Sequence, residues 1–205
     1  MRIFLDNQPC PVDATSLGEA ILVVNDLAEE NGRLVVEVHV DGSLLSEQEL
    51  QEEARLESTP ERVELKTTTA LALLSETFAS AAEAILEAEA VQTNAAKLLQ
   101  GGTLLEGMKH LSIALGTWME VHEAVVKGLL LAGEDPDSLQ IDNVRLIDAS
   151  ASLQARLSDL RTAITDQDSS AICDCLLYEF PEVSEAWGTL LRGLAQMYHV
   201  DSKDS

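Results

Sequence analysis

Apolar residues recur at spacings of three and four over most of the chain from Leu71 to Tyr198, the period of helices that bury one face. Leu71, Leu74, Phe78, Ala81, Ile85 and Ala88 open the first run, which continues through Ala95 to Leu99 until Gly101-Gly102 breaks it. Thr103 stands where a cap would, and Met108, Leu111, Leu115, Trp118, Val121 and Val125 carry a second stripe on to Leu129. A turn cluster from Gly133 to Asp137 follows, and Leu146, Ala149, Leu153, Leu157 and Leu160 then mark a third helix near Val144 to Ile164. After a break at Asp166 to Ser169, Ile172, Leu176, Phe180, Val183, Trp187 and Leu190 form the stripe of a fourth helix, ending near Tyr198. Connections this short make consecutive helices antiparallel, so residues 69–205 are expected to form an up-down four-helix bundle.

Two details modify that bundle. The second and fourth helices echo each other, since each follows a polar break and carries a tryptophan, Trp118 or Trp187, about 17 residues beyond it. A duplicated helical hairpin accounts for the echo. Pro181 has no counterpart in the second helix; it removes the N–H that would bond the Leu177 carbonyl, which predicts a kink with a groove or bulge at Tyr178 to Glu182.

The first 68 residues follow a different period. Arg2 to Leu5, a turn cluster at Asn7, Gln8 and Pro9, and a short extended segment from Cys10 to Asp13 predict a hairpin. Leu17, Ala20, Ile21, Val24 and Ala28 have helical spacing, with Ser16 or Thr15 as the cap and Asn31-Gly32 as the stop. Leu34, Val36, Val38 and Val40 then alternate with Val35, Glu37 and His39 up to Asp41-Gly42, which predicts a strand with the first set buried and His39 facing outward. A short acidic helical stretch near Ser46 to Glu53 precedes a last strand over Arg62 to Thr67. This order of strand, strand, helix, strand, short element and strand resembles the β-grasp fold of ubiquitin-like proteins. The fold class is therefore α+β, with a β-grasp-like module over residues 1–68 ahead of the helical domain. Ubiquitin-like modifiers act through a C-terminal Gly-Gly tail, whereas Thr67, Thr68 and Thr69 here lead into a helix, so a conjugation role is not expected.

Charge narrows the partners. Asp and Glu outnumber Lys and Arg 36 to 13, a formal charge of −23, and a field of that sign repels phosphate backbones and anionic lipid headgroups. Nucleic acid and membrane surface are not expected partners. No N-terminal stretch has the pattern of a secretory signal, and no apolar run approaches the roughly 20 residues that span a bilayer, so the expected location is cytoplasmic. Cys10, Cys173 and Cys175 are an odd number with no histidine near them in sequence, and read as small core or surface residues rather than as a disulfide framework or a metal site.

No constellation for chemistry emerges. Carboxylate-bridged metal pairs in helical bundles take Glu-x-x-His on two helices. None of the four histidines has a Glu three residues before it; Glu106 with His110 and Glu120 with His122 come nearest. There is no phosphate-cradling glycine loop after a strand and no Gly-x-Ser-x-Gly elbow. The expectation is no catalytic residue, no metal and no cofactor. The segment Cys173 to Trp187, CDCLLYEFPEVSEAW, resembles a Leu-Leu-Tyr-Glu-x-Pro-x5-Trp ending in uncharacterised bacterial proteins, some of them in flagellar gene neighbourhoods. The resemblance implies a bundle that handles another protein. The reading is a cytoplasmic adaptor or chaperone-like interaction module whose partner is another protein, basic or helical, with homo-oligomerisation also open. Tyr178, Phe180, Pro181 and Trp187 are the expected contact residues, because aromatic side chains gathered beside a helix irregularity suit an anchor site. Two alternatives stand beside it: a small-ligand binder or enzyme with its pocket between the two domains, and an acidic antidote for a basic partner.

Overall fold

The N-terminal strands close into one five-stranded sheet around β5. In order they are β1 (Arg2–Leu5), β2 (Gln8–Pro9), β3 (Arg33–Val40), β4 (Ser43–Leu44) and β5 (Arg62–Thr69), arranged β2-β1-β5-β3-β4. β1 runs parallel to β5, Ile3 opposite Val63 and Leu5 opposite Leu65, while β3 lies antiparallel on the other side of β5. This is β-grasp topology in an α+β chain. The structure is a computed structural model that describes residues 1–199, and the chain packs as two units, Met1–Leu73 and the part from Leu74 onward.

In the first unit α1 (Leu17–Glu30) is capped by Ser16, whose Oγ accepts from the Glu19 N–H at 3.2 Å. The Glu19 carboxylate reaches back to the Thr15 N–H and hydroxyl. Leu17, Ala20 and Val24 pack on Ile3, Val38, Val40, Val63 and Leu65. Two short hairpin turns shape the sheet, at Asp6-Asn7 and Asp41-Gly42, each with two successive positive φ values. The first corrects the sequence expectation. The turn sits at Asp6-Asn7, so Gln8-Pro9 are the second strand and Cys10 to Asp13 lie outside it. Ser43-Leu44, to which the sequence reading assigns no strand, pair with β3 as β4. The acidic stretch is a single 3-10 turn at Glu49–Gln51 followed by the four-residue α2 (Glu53–Leu56).

The buried face of β3 also differs from strict alternation. The register shifts between Val35 and Glu37, so Val36 is the extra residue of a β-bulge and points to solvent, while Val35 joins the core. A polar clamp holds the strands at this point. Thr67 donates to Asp6 through its N–H at 2.8 Å and its hydroxyl at 2.6 Å. Arg33 donates from Nε to the Thr67 hydroxyl and from Nη2 to the Thr67 carbonyl. Burial opposes charge on Asp6, but the Thr67 bonds and the Arg33 guanidinium outweigh it and hold the carboxyl below its usual value.

The second unit is the bundle. β5 passes into α3 (Ala70–Gln100) with no residue between, and α4 (Leu104–Ala132), α5 (Leu146–Thr165), α6 (Ser169–Asp174) and α7 (Phe180–Met197) follow. Side-chain contacts fix the directions. Gly107 lies against Leu99 and Gly128 against Phe78, so α3 and α4 are antiparallel. The Ser75 hydroxyl donates to Ala195 O and the Cys173 thiol to Ala96 O, so α6 and α7 run antiparallel to α3. The Trp187 indole N–H donates to Ala149 O and the Cys175 thiol to Arg156 O, setting α5 antiparallel to α7. Thr103 makes no side-chain capping bond, whereas Asp168 caps α6 by accepting from the Ser170 and Ala171 N–H groups. Before α5 a two-residue hairpin, β6 (Gln140–Ile141) and β7 (Val144–Arg145), turns at Asp142-Asn143 and seats Ile141 against Gly193 of α7.

The break expected near Pro181 takes a specific form. Cys175–Glu179 is a π-turn in which the Phe180 N–H donates to Cys175 O, five residues back. Pro181 then stands in the first turn of α7, where a missing N–H is tolerated.

Glycines on α4 yield a paired prediction. A Cβ at Gly116 meets nothing within 4 Å, so Gly116→Ala should stabilise the protein by about 0.5–1 kcal/mol. A Cβ at Gly128 falls 2.6 Å from Phe78 Cζ, so Gly128→Ala should lose about 1–2 kcal/mol net despite its better helix propensity. Chemical denaturation of both variants checks the opposite signs. Asp6→Asn should cost about 1 kcal/mol at neutral pH, near the low end for a charged hydrogen bond because Asp6 and Arg33 are each about two-fifths exposed. The folded-state pKa is depressed, so this contribution is present above the ordinary Asp value of 3.8 and disappears as pH falls through the lowered one. The stability gap between the two proteins should therefore close in acid.

Candidate functional site

The bundle centre is aromatic. Trp118 of α4 and Trp187 of α7 meet edge to face, ring centres 6.1 Å apart at 85°, and Phe180 lies 6.1 Å from Trp118. The Trp118 indole nitrogen is buried without a hydrogen-bond partner, unlike that of Trp187. Gln92 of α3, 1% exposed, takes a core position, and neither end of its amide has a partner.

Outside the two indoles, α4 and α5 do not close on each other. A groove of about 730 Å³ lies between them, walled by Leu115, Trp118, Met119, His122 and Glu123 of α4 and by Ser150, Leu153, Gln154 and Leu157 of α5. A smaller hollow of about 220 Å³ shares His122 and Ser150 and extends past Val125, Val126 and Leu129 toward Pro136 and Leu146. Together they form one seam. From Leu115 to Leu129 it follows α4 for about 21 Å, at 1.5 Å per residue. It stays open because the α5 positions beside α4 include Ser150, too short to fill it, and Gln154, whose amide stays in water. The rim is apolar: Met119 is 74% exposed, Val126 53% and Ile147 43%. Leu130, one turn past Val126, is 81% exposed.

The sequence-predicted contact residues divide between surface and core. Tyr178 is 74% exposed on the π-turn, and Pro181 beside it is half-buried. Phe180 and Trp187 are buried in the aromatic centre, where their packing is with the bundle itself. Trp187 also backs the smaller hollow, with the His122 ring 6.4 Å away. Glu179 pairs with Arg156, tying the π-turn to α5. The α4–α5 seam itself was not anticipated. Its signal in the sequence was a pair of apolar residues off the buried stripe of α4, Met119 and Val126, seven apart and so on one face.

Both thiols of the bundle are held protonated. Burial, with the Glu179 charge, pushes the Cys175 thiol up to about 11. Burial and the Asp174 charge raise Cys173, and burial raises Cys10. The His110 ring lies 3.3 Å from the Asn94 amide, and His39, on the outer face of the sheet, bonds Glu37 at 2.7 Å. Bonds from His39 and Lys66 hold the Glu37 carboxyl below its usual value. Among the described residues no group of three His, Cys, Asp or Glu side chains is placed to hold a metal ion, and no helix is long and apolar enough to cross a membrane.

Comparison of the chain with protein-family models, curated proteins and solved structures finds no match in any of the three.

With a pKa about two units above an ordinary thiol, Cys175 should resist alkylation at pH 8 in the folded protein. Cys173, also buried, should behave likewise, and the half-buried Cys10 should react first. Mass spectrometry of timed iodoacetamide reactions, with and without denaturant, gives the order.

Proposed function

We propose that this protein is a non-enzymatic interaction module of the adaptor or chaperone-like kind, and that the α4–α5 seam is its contact surface. One observation carries the reading: an apolar groove four helical turns long whose rim residues, Met119 and Val126, lie off the buried stripe of α4 and are more than half exposed. Such a groove has the form that a partner helix occupies. The ending CDCLLYEFPEVSEAW, with its resemblance to bacterial bundle proteins, is consistent with the same class. The thiols held protonated argue against a cysteine nucleophile. An acidic antidote for a basic partner is a narrower form of the same reading, supported by the charge of −23. Tyr178 supports a second contact surface, because it presents an aromatic ring to solvent on an irregular turn.

Site-specific photo-crosslinkers in living cells separate these surfaces. A crosslinker at Met119 should give a discrete adduct, and one at Leu22, an equally solvent-facing residue of α1, should give none. Replacing Met119 and Val126 together by Asn should weaken retention of the captured protein about ten-fold, roughly 1.4 kcal/mol, with the melting temperature nearly unchanged. Tyr178→Ala should have a comparable effect only if the π-turn is the contact. Adducts at Leu22 equal to those at Met119 would remove the seam from consideration.

A further inference from the structure

We infer that the occupant of the α4–α5 seam is a cationic amphipathic α-helix, an assignment that rests on the seam being a contact surface. Shape argues for a helix. The seam follows α4 for about 21 Å, and a helix laid along it with apolar residues at i, i+4, i+7 and i+11 spans about 16 Å. Met119 at the rim is unbranched and polarisable, and adapts to such side chains. A small apolar ligand is a poorer match, because ligand pockets enclose most of their guest whereas both Met119 and Gln154 at this rim are exposed.

Charge decides which helix. The residues lining the groove and hollow include the carboxylates of Glu123 and Asp137 and no lysine or arginine. Lys127 bonds Glu123 at 2.7 Å, so the local field is softened there but not reversed. The chain as a whole carries a net charge of −23, which raises the local concentration of cations and speeds their encounter. The same charge argues against a second copy of this chain, since pairing two seams would bring two such fields together and set carboxylates against carboxylates. An apolar face flanked by Lys or Arg is the chemistry that satisfies both the walls and the field.

The chain carries its own reporters, because its two tryptophans, Trp118 and Trp187, both line the seam. The probes are aromatic-free peptides of about 18 residues, long enough to cover the seam. The first has Leu at the four stations and Lys on its flanks, the second has Gln in place of every Lys, and the third is a scramble of the first. Each is titrated into the full-length protein and into the Met119→Asn, Val126→Asn double variant while tryptophan emission is followed. The Lys helix should bind saturably, at least about ten-fold tighter than the Gln helix or the scramble. It should lose about ten-fold in the double variant and weaken as salt rises. Equal binding of the Gln and Lys helices, lost in the double variant, would overturn the cationic assignment and leave the seam as a contact surface. Equal binding of the scramble, or binding that the double variant does not change, would reduce the interaction to bulk charge and overturn the helix assignment. A wild-type dimer in light scattering that the double variant returns to monomer would give the seam to a second copy instead. Failure of the seam reading itself registers separately, in the absence of adducts at Met119.

Discussion

The helical unit is governed by an imbalance of side-chain volume. α3 offers the core five alanines, Ala81, Ala82, Ala88, Ala95 and Ala96, among Leu74, Phe78, Ile85 and Leu99, while α4 and the fourth helix offer Trp118, with Phe180 and Trp187 both against it. On the α3 side, α4 sets Gly107 against Leu99 and Gly128 against Phe78, so close that neither glycine has room for a methyl group. On the indole side, large rings occupy the centre and α5 sets the small Ala149 and Ser150 beside them, between Leu146 and Leu153. Close packing on one flank and a wedge in the middle leave a gap on the other. The groove is thus a consequence of where the large residues stand, and filling it from within would need larger side chains at positions such as Ser150.

The first unit depends on a polar arrangement instead. Its two edge strands are two residues long, which leaves little unpaired backbone for another chain to join. β5 lies between a parallel and an antiparallel neighbour, and Asp6, Thr67 and Arg33 bind the three strands where β3 bulges. Asp6 can serve both as turn residue and as acceptor because aspartate tolerates positive φ, here 48°.

Much of this was legible in the sequence. Periods of two and of three to four located the long strands and the helices, and every stripe residue named for the fourth helix is buried. What escaped has identifiable causes. Asp6-Asn7 and Asp142-Asn143 are hairpin turns without the glycine that marked Asp41-Gly42, so one hairpin was displaced and the other was not seen. The bulge at Val36 reverses alternation by adding one residue, and the run of three, Leu34-Val35-Val36, reads equally well in either phase. Gln92 holds a core position that hydrophobic periodicity does not mark. Of the expected contact residues, Tyr178 lies exposed off the buried stripe while Phe180 and Trp187 are part of it, since aromatic content alone does not separate an anchor from a wedge. The seam is a property of two helices together, and no single stripe encodes it.

The π-turn has one more implication. Five residues complete a turn that four would ordinarily close, so the segment Cys175–Glu179 is in effect an insertion of a single residue into a continuous helix. It lets Ile172 before it, Leu176 within it and Val183 and Trp187 after it share one buried face. In a related chain without the proline, one residue could be dropped from this stretch and both stripes would still point inward. An alignment with such a relative would carry a one-residue gap beside Tyr178, and that gap would record a change of helix winding while the path of the chain stayed the same.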